Sequence, residues 1–346
     1  MKKNILQSYR LKKGDIIAVV APSSGKAYEF PRLFKEGLEN IEKIFGLKVK
    51  EYPTTKMCSE ELSKRPDLRA KDINDAFADS SVKGVFTTIG GDDSIRILPF
   101  LDKQIIKKNP KLFMGYSDAT VLLVNLNQMG LITFHGPSIM AGFAQAKYLP
   151  DTFKDHIETI LFNEIDSYNY KPYEHFCDGY KDWSGKGAKG EINDLKKNKG
   201  WNWINGSGQT SGKLFGGCIE ALEFLKGTKY WPTEKFWDNK VLFLETSEEK
   251  PSISQVKYML RNYGMQGVFK KISALFFGRA NFYTDREKSE LEKMIIEIVI
   301  GEFGAKSMPI ITNMDFGHTD PQLILPLGLE VLINTDKKTI KLNAMG

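Results

Sequence analysis

The stretch Lys111-Leu-Phe-Met-Gly-Tyr-Ser-Asp-Ala-Thr120 decides how the rest of the chain is read. Leu112-Phe-Met114 is a short apolar run of the kind a strand buried on both faces requires. From Asp118 to Gln128, the placing of Val121, Leu122, Val124 and Leu126 gives the chain a helical character. Ser117 therefore stands between a strand end and a helix start. A serine there resembles the nucleophile elbow, Gly-x-Ser-x-Gly, in which a tight turn pushes the hydroxyl into open space. Here the pattern is Gly115-Tyr-Ser-Asp-Ala119, with an alanine small enough to let the helix pack close to the strand. The unpaired N–H groups at the helix start would stabilise an oxyanion. The same residues also fit an ordinary N-cap, with Ser117 satisfying its own helix and doing no chemistry.

Strand-like runs and helical patterns alternate on both sides. Ile16-Ile-Ala-Val-Val-Ala21 ends at Pro22-Ser-Ser-Gly25, and a helical spacing from Leu33 to Phe45 stops at Gly46. Lys48 to Tyr52 alternates, Gly84 to Ile89 closes on Gly90-Gly-Asp-Asp93, and Ile132-Thr-Phe134 closes on His135-Gly-Pro137. The alternation predicts a parallel sheet with helices on both faces. Ligands of such sheets sit at the carboxyl ends of the strands, where Gly90, Gly91 and Ser117 fall. From Ser167 to Gly212 the alternation stops, and Trp183, Trp201 and Trp203 lie among glycines and lysines. Such a stretch is either a lid for a flat, ring-bearing ligand or a connector that packs its own tryptophans. Alternation resumes with strands at Lys213–Phe215, Lys240–Leu244, Ile272–Phe277 and Pro309–Thr312, then a hairpin formed by Leu329–Ile333 and Thr339–Leu342. The expected organisation is an N-terminal α/β domain over 1–166, a Trp-bearing connector over 167–212 and a smaller C-terminal α/β domain over 213–346.

Composition narrows the function classes. The 346 residues are 41% apolar and 27% charged, as in soluble globular proteins. A net charge of +6 is small for this length, and no basic cluster alternates with aromatics, so no nucleic-acid partner is expected. Cys58, Cys177 and Cys218 form neither a disulfide framework nor a zinc spacing, which suits a reduced, cytoplasmic setting. Ile16 to Ala21 is too short for a signal core or a membrane span, so no membrane partner is expected.

A serine nucleophile needs a base within reach and a third group that fixes the base. Of four histidines, His156 falls in a helical pattern and His175 in a polar loop, while His135 borders a strand end. His318 follows a strand inside Gly317-His-Thr-Asp-Pro321, where a backbone turn would hold an imidazole outward. Glu245 closes the apolar strand Val241-Leu-Phe-Leu244, and a carboxylate there is costly to bury unless it is paired. Glu248 and Glu249 compete with it but fall in what reads as a solvent-facing turn.

Together, Gly90-Gly-Asp-Asp-Ser-Ile-Arg96, Gly115-Tyr-Ser-Asp118, the strand ending in Glu245, and Gly317-His318-x-x-Pro321 through Leu325-Pro-x-Gly328 resemble the LD-carboxypeptidase family of serine peptidases. That family includes the microcin-immunity peptidases, and the likeness runs in order from Ile16 to Gly328. It implies a flavodoxin-like N-terminal domain, a smaller C-terminal α/β domain, a homodimer, and no metal or cofactor. It also implies a triad of Ser117, Glu245 and His318, with Gly91 and Asp118 as backbone oxyanion donors and Gly90 and Asp92 at the substrate. Gly90-Gly-Asp-Asp93 and the long 167–212 stretch resemble the microcin-immunity branch more than the murein-recycling one. In that branch a loop tryptophan stacks on the nucleobase of a peptidyl- or aminoacyl-nucleotide substrate; Trp183 is the candidate, with Trp201 and Trp203 in competition. A murein tetrapeptide carboxypeptidase is the alternative. A single-domain α/β-hydrolase and a two-lobed solute receptor are more distant ones.

Overall fold

The computed structural model describes residues 9–184 and 189–344. Two sheets, each flanked by helices, meet at the carboxyl ends of their parallel strands. The first holds Lys48–Glu51, Ile16–Val20, Val82–Thr87, Leu112–Gly115 and Thr133–His135, side by side in that order and all parallel. This is the flavodoxin-like succession, with the second strand outside the first. The helix over Pro31–Phe45 begins on a proline and stops at Gly46, whose φ of 69° suits glycine.

Among the described residues the second sheet has eight strands. Its parallel centre is Gln209–Cys218, Lys240–Glu245, Ala274–Gly278 and Ile310–Met314. The C-terminal hairpin, Glu330–Asn334 with Thr339–Asn343, extends one side of it. The stretch expected as a connector supplies both edges: Ser167–Tyr170 pairs with Thr339–Asn343, and Asn202–Asn205 with Ile310–Met314. Between them, His175–Asp178 lies between Lys196–Lys197 and Thr319–Asp320 in a small sheet. These strands are short and pair with partners far along the chain, so local periodicity carries no trace of them.

Two contacts bind the halves where the site forms. The strand Leu325–Leu327 leaves the second half and joins the first sheet, antiparallel to Thr133–His135. The N–H of Cys218, at the end of a second-sheet strand, donates to Thr120 Oγ1 at 3.1 Å, just behind Ser117.

Candidate active site

Ser117 follows the Leu112–Gly115 strand and takes φ 60°, the left-handed region that a non-glycine residue rarely adopts. Holding it there costs about 1–3 kcal/mol, which the surroundings must offset. Asp118 supplies part of the support. It is buried, its Oδ2 accepts the Ser94 N–H at 3.0 Å, and its carbonyl accepts the Ser94 hydroxyl at 2.8 Å. The Ser117 turn is thereby stapled to the Gly90–Asp93 loop. Gly90 packs so closely that an added Cβ would stand 2.6 Å from Ser117 Oγ.

A second brace under this loop escapes sequence reasoning. Arg69 is fully buried, pairs with Asp93, and donates to the carbonyls of Pro22 (3.0 Å) and Ser23 (3.2 Å). It locks the loops after the first and third strands of the chain against each other. Asp93 thus faces the protein, whereas Asp92 lines the cleft.

Glu245 ends its strand with no exposed surface. His318 Nδ1–H donates to Glu245 Oε2 at 2.7 Å. Gly317, at φ 95°, lets the chain pass so near that a Cβ would lie 2.5 Å from that oxygen. Tyr116 packs edge-on against the imidazole, with 4.9 Å between ring centres. His318 and Ser117 border one cleft of about 970 Å³, together with Gly90, Gly91, Asp92 and Asp118.

Glu248 is exposed, as its turn suggested, but it is not without a partner. Its Oε2 accepts a hydrogen bond from His318 Nε2 at 2.9 Å. With a carboxylate on each nitrogen, the ring is an imidazolium. Burial alone would lower its pKa, but Glu245 and then Glu248 outweigh that and hold it well above the ordinary imidazole value. The same bond holds the Glu248 carboxyl down at about 2.

The remaining histidines take structural places. His135 is completely buried, and burial lowers its pKa to about 3, so the ring is neutral. His156 is buried as well; its Nε2 accepts the Ile324 N–H at 2.8 Å, and its Nδ1 faces the Tyr168 hydroxyl at 2.8 Å. His175 stands exposed in a strand of the small sheet. Among the described residues, no group of three or more His, Cys, Asp or Glu side chains is placed to hold a metal ion.

The three tryptophans separate clearly. Trp183 lines the cleft, with Tyr180 stacked beneath it (5.6 Å, 24° between planes) and Phe30 edge-on at 5.8 Å. The Tyr180 hydroxyl donates to buried Asp320 Oδ2 at 2.7 Å, which anchors this aromatic pair to the segment that carries His318. Trp201 and Trp203 line a different depression, beside Asn169 and Lys338. The Trp201 indole N–H is committed to Asp315 at 2.7 Å.

This arrangement has relatives. The microcin C7 self-immunity protein MccF of Escherichia coli is 28% identical over 331 residues, covering 95% of this chain and 93% of that protein. A Bacillus subtilis protein named "Probable murein peptide carboxypeptidase" is 28% identical over 340 residues, covering 96% and 93%. Solved MccF superposes with a TM-score of 0.86 over 97% of both chains at 28% identity, and it has been solved with glutamyl sulfamoyl guanosine and with aspartyl sulfamoyl adenosine. An MccF-like protein of Streptococcus pneumoniae, solved in complex with AMP, gives 0.84 over 96% of this chain and 99% of that one, at 26% identity. The family models for the LD-carboxypeptidase N-terminal and C-terminal domains match residues 17–136 and 211–333, so this chain belongs to the LD-carboxypeptidase family of peptidases.

Proposed function

We propose that the chain is a serine peptidase that cleaves an amide-type bond of a peptidyl- or aminoacyl-nucleotide through an acyl-enzyme. The carrying observation is the Glu245–His318 pair, 2.7 Å apart, opening on the cleft that holds Ser117 in its strained turn. With Glu248 drawn aside, His318 Nε2 is the base that takes the Ser117 proton as Oγ attacks the carbonyl carbon. The backbone N–H groups of Gly91 and Asp118 hold the oxyanion. His318 passes the proton to the departing nitrogen as the C–N bond breaks. A water then attacks the ester and gives its proton to His318, which passes it to Ser117 Oγ as the ester bond breaks and the acid leaves. Glu245 keeps the ring oriented and stabilises its charge throughout.

Trp183 favours the nucleotide reading over the murein one. It is the tryptophan on the cleft, backed by Tyr180, and a flat base stacked there gains about 1–3 kcal/mol. The AMP and sulfamoyl-nucleoside complexes of the structural relatives agree with such a ligand. The murein alternative rests on the likeness to the Bacillus subtilis protein. Turnover of an aminoacyl-sulfamoyl adenosine, set against a tetrapeptide ending in a D-amino acid, separates the two. Ser117→Ala lowers turnover of the true substrate by about 10⁴-fold or more with an unchanged fold, and near-normal turnover would sink the assignment.

A further inference from the structure

The small sheet joins the loop that carries Tyr180 and Trp183 to the segment that carries His318. Its strand His175–Asp178 pairs antiparallel with Thr319–Asp320, with Cys177 opposite Asp320. The root of the aromatic loop therefore lies against the two residues that follow the imidazole.

From this loop, Tyr180 touches three parts of the site. Its ring lies beneath Trp183, 5.6 Å away with 24° between planes. Its hydroxyl donates to Asp320 Oδ2 at 2.7 Å, and Asp320 is buried. The Tyr116 hydroxyl interacts with it as well. Tyr116 is the residue before Ser117, and its buried ring stands edge-on to the His318 imidazole, 4.9 Å between centres. One phenol thus links the cleft-facing tryptophan to the chain neighbours of both Ser117 and His318.

Buried polar groups paired in this way shift together, because parting them strands a donor or an acceptor away from water. A flat ring seated on Trp183 from the cleft restricts the indole against Tyr180. Tyr180 is in turn restricted against Asp320 and Tyr116.

We propose that Tyr180 is a positioning residue through which a nucleobase on Trp183 sets the alignment of Ser117 with His318. The base then raises the rate of acyl transfer at saturation as well as the affinity, since binding energy from a remote part of the substrate is used to orient the reacting groups. The inference rests on Ser117 and His318 being the reacting pair and on Trp183 being the stacking surface. A substrate with no flat ring leaves Tyr180 unclamped and is cleaved more slowly even when bound.

The test follows the ring-nitrogen NMR signals of His318, in protein carrying isotope-labelled histidine, as AMP is titrated in; calorimetry measures AMP binding in parallel. AMP is expected to shift these signals in the unaltered protein. Tyr180→Phe keeps the stacked ring and loses the hydroxyl. It is expected to bind AMP within about twofold of the original affinity, because the stack remains, while most of the shift disappears. Asp320→Asn keeps an oxygen for the Tyr180 hydroxyl and is expected to keep the shift; its loss there would assign the effect to charge and overturn the proposal. On an aminoacyl-sulfamoyl adenosine, Tyr180→Phe is expected to lower kcat about tenfold with KM little changed, and an unchanged kcat overturns the proposal. Should Tyr180→Phe fail to fold, Trp183→Leu, at the cleft surface, replaces it: saturating AMP is expected to leave His318 largely unshifted, and a full shift overturns the coupling. AMP that binds without shifting His318, or a shift that persists in Tyr180→Phe, overturns the coupling and leaves the platform standing. Absence of AMP binding removes the platform and the proposal with it. The NMR readings need no turnover, so a failure of the coupling is read apart from a failure of Ser117 as nucleophile.

Discussion

His318 Nε2 lies 2.9 Å from Glu248 Oε2, so in the proposed mechanism the nitrogen that takes the Ser117 proton has first to give up a carboxylate partner. His318 acts as a base only when neutral, and its pKa stands well above the usual value, so kcat/KM rises with pH through that raised pKa. Glu248→Gln removes one of the two carboxylates that raise it. The acidic limb of the pH profile is expected to move to lower pH in that variant; a limb that stays in place would show that Glu248 does not hold the base in solution.

Glu245→Gln keeps the size of the side chain but removes the charge opposite the imidazolium. A loss of kcat of about 10³–10⁴-fold is expected, with near-ultraviolet circular dichroism unchanged. The comparison with Glu248→Gln is informative, because Glu248 is exposed whereas Glu245 has no exposed surface. A mild effect at Glu245 and a severe one at Glu248 would exchange their roles.

Gly90→Ala tests the positioning of the nucleophile without touching its chemistry. The new methyl group would stand 2.6 Å from Ser117 Oγ and 2.7 Å from its Cβ, so the serine has to move. Displacement of an ångström in an attacking group costs about 100-fold in rate. Turnover is expected to fall by that order, with thermal unfolding shifted by no more than about 1–3 kcal/mol of overpacking. Normal turnover would mean that Ser117 is not the attacking group or is not held where the structure places it.

Trp183→Ala is expected to weaken AMP binding by about 1–3 kcal/mol, roughly 5- to 150-fold, as measured by calorimetry. Trp201→Ala, in a depression of its own, leaves AMP affinity unchanged. Equal effects of the two substitutions would move the base-stacking platform off the cleft.

Much of this site was legible in the sequence because its parts lie where local pattern is strongest. Ser117 follows an apolar strand, Glu245 closes one, and His318 sits in a turn marked by Gly317 and Pro321. Each such position announces a side chain at the carboxyl end of a sheet. Arg69 could not be read in this way. It sits mid-helix among charged residues, and only folding shows it buried beneath two loops. The Glu248 turn is as exposed as its glutamates suggest, but the bond to His318 could not be read because that partner lies far off in the chain. The edge strands at Ser167–Tyr170 and Asn202–Asn205 were hidden for a related reason, since what makes them strands is a partner met late in folding.

The Leu325–Leu327 strand, threaded back into the first sheet shortly after His318, bears on how this enzyme can move. The segment bearing the imidazole is thereby paired into the sheet that carries Ser117, so any parting of the two halves has to break this pairing or bend the chain between His318 and Leu325.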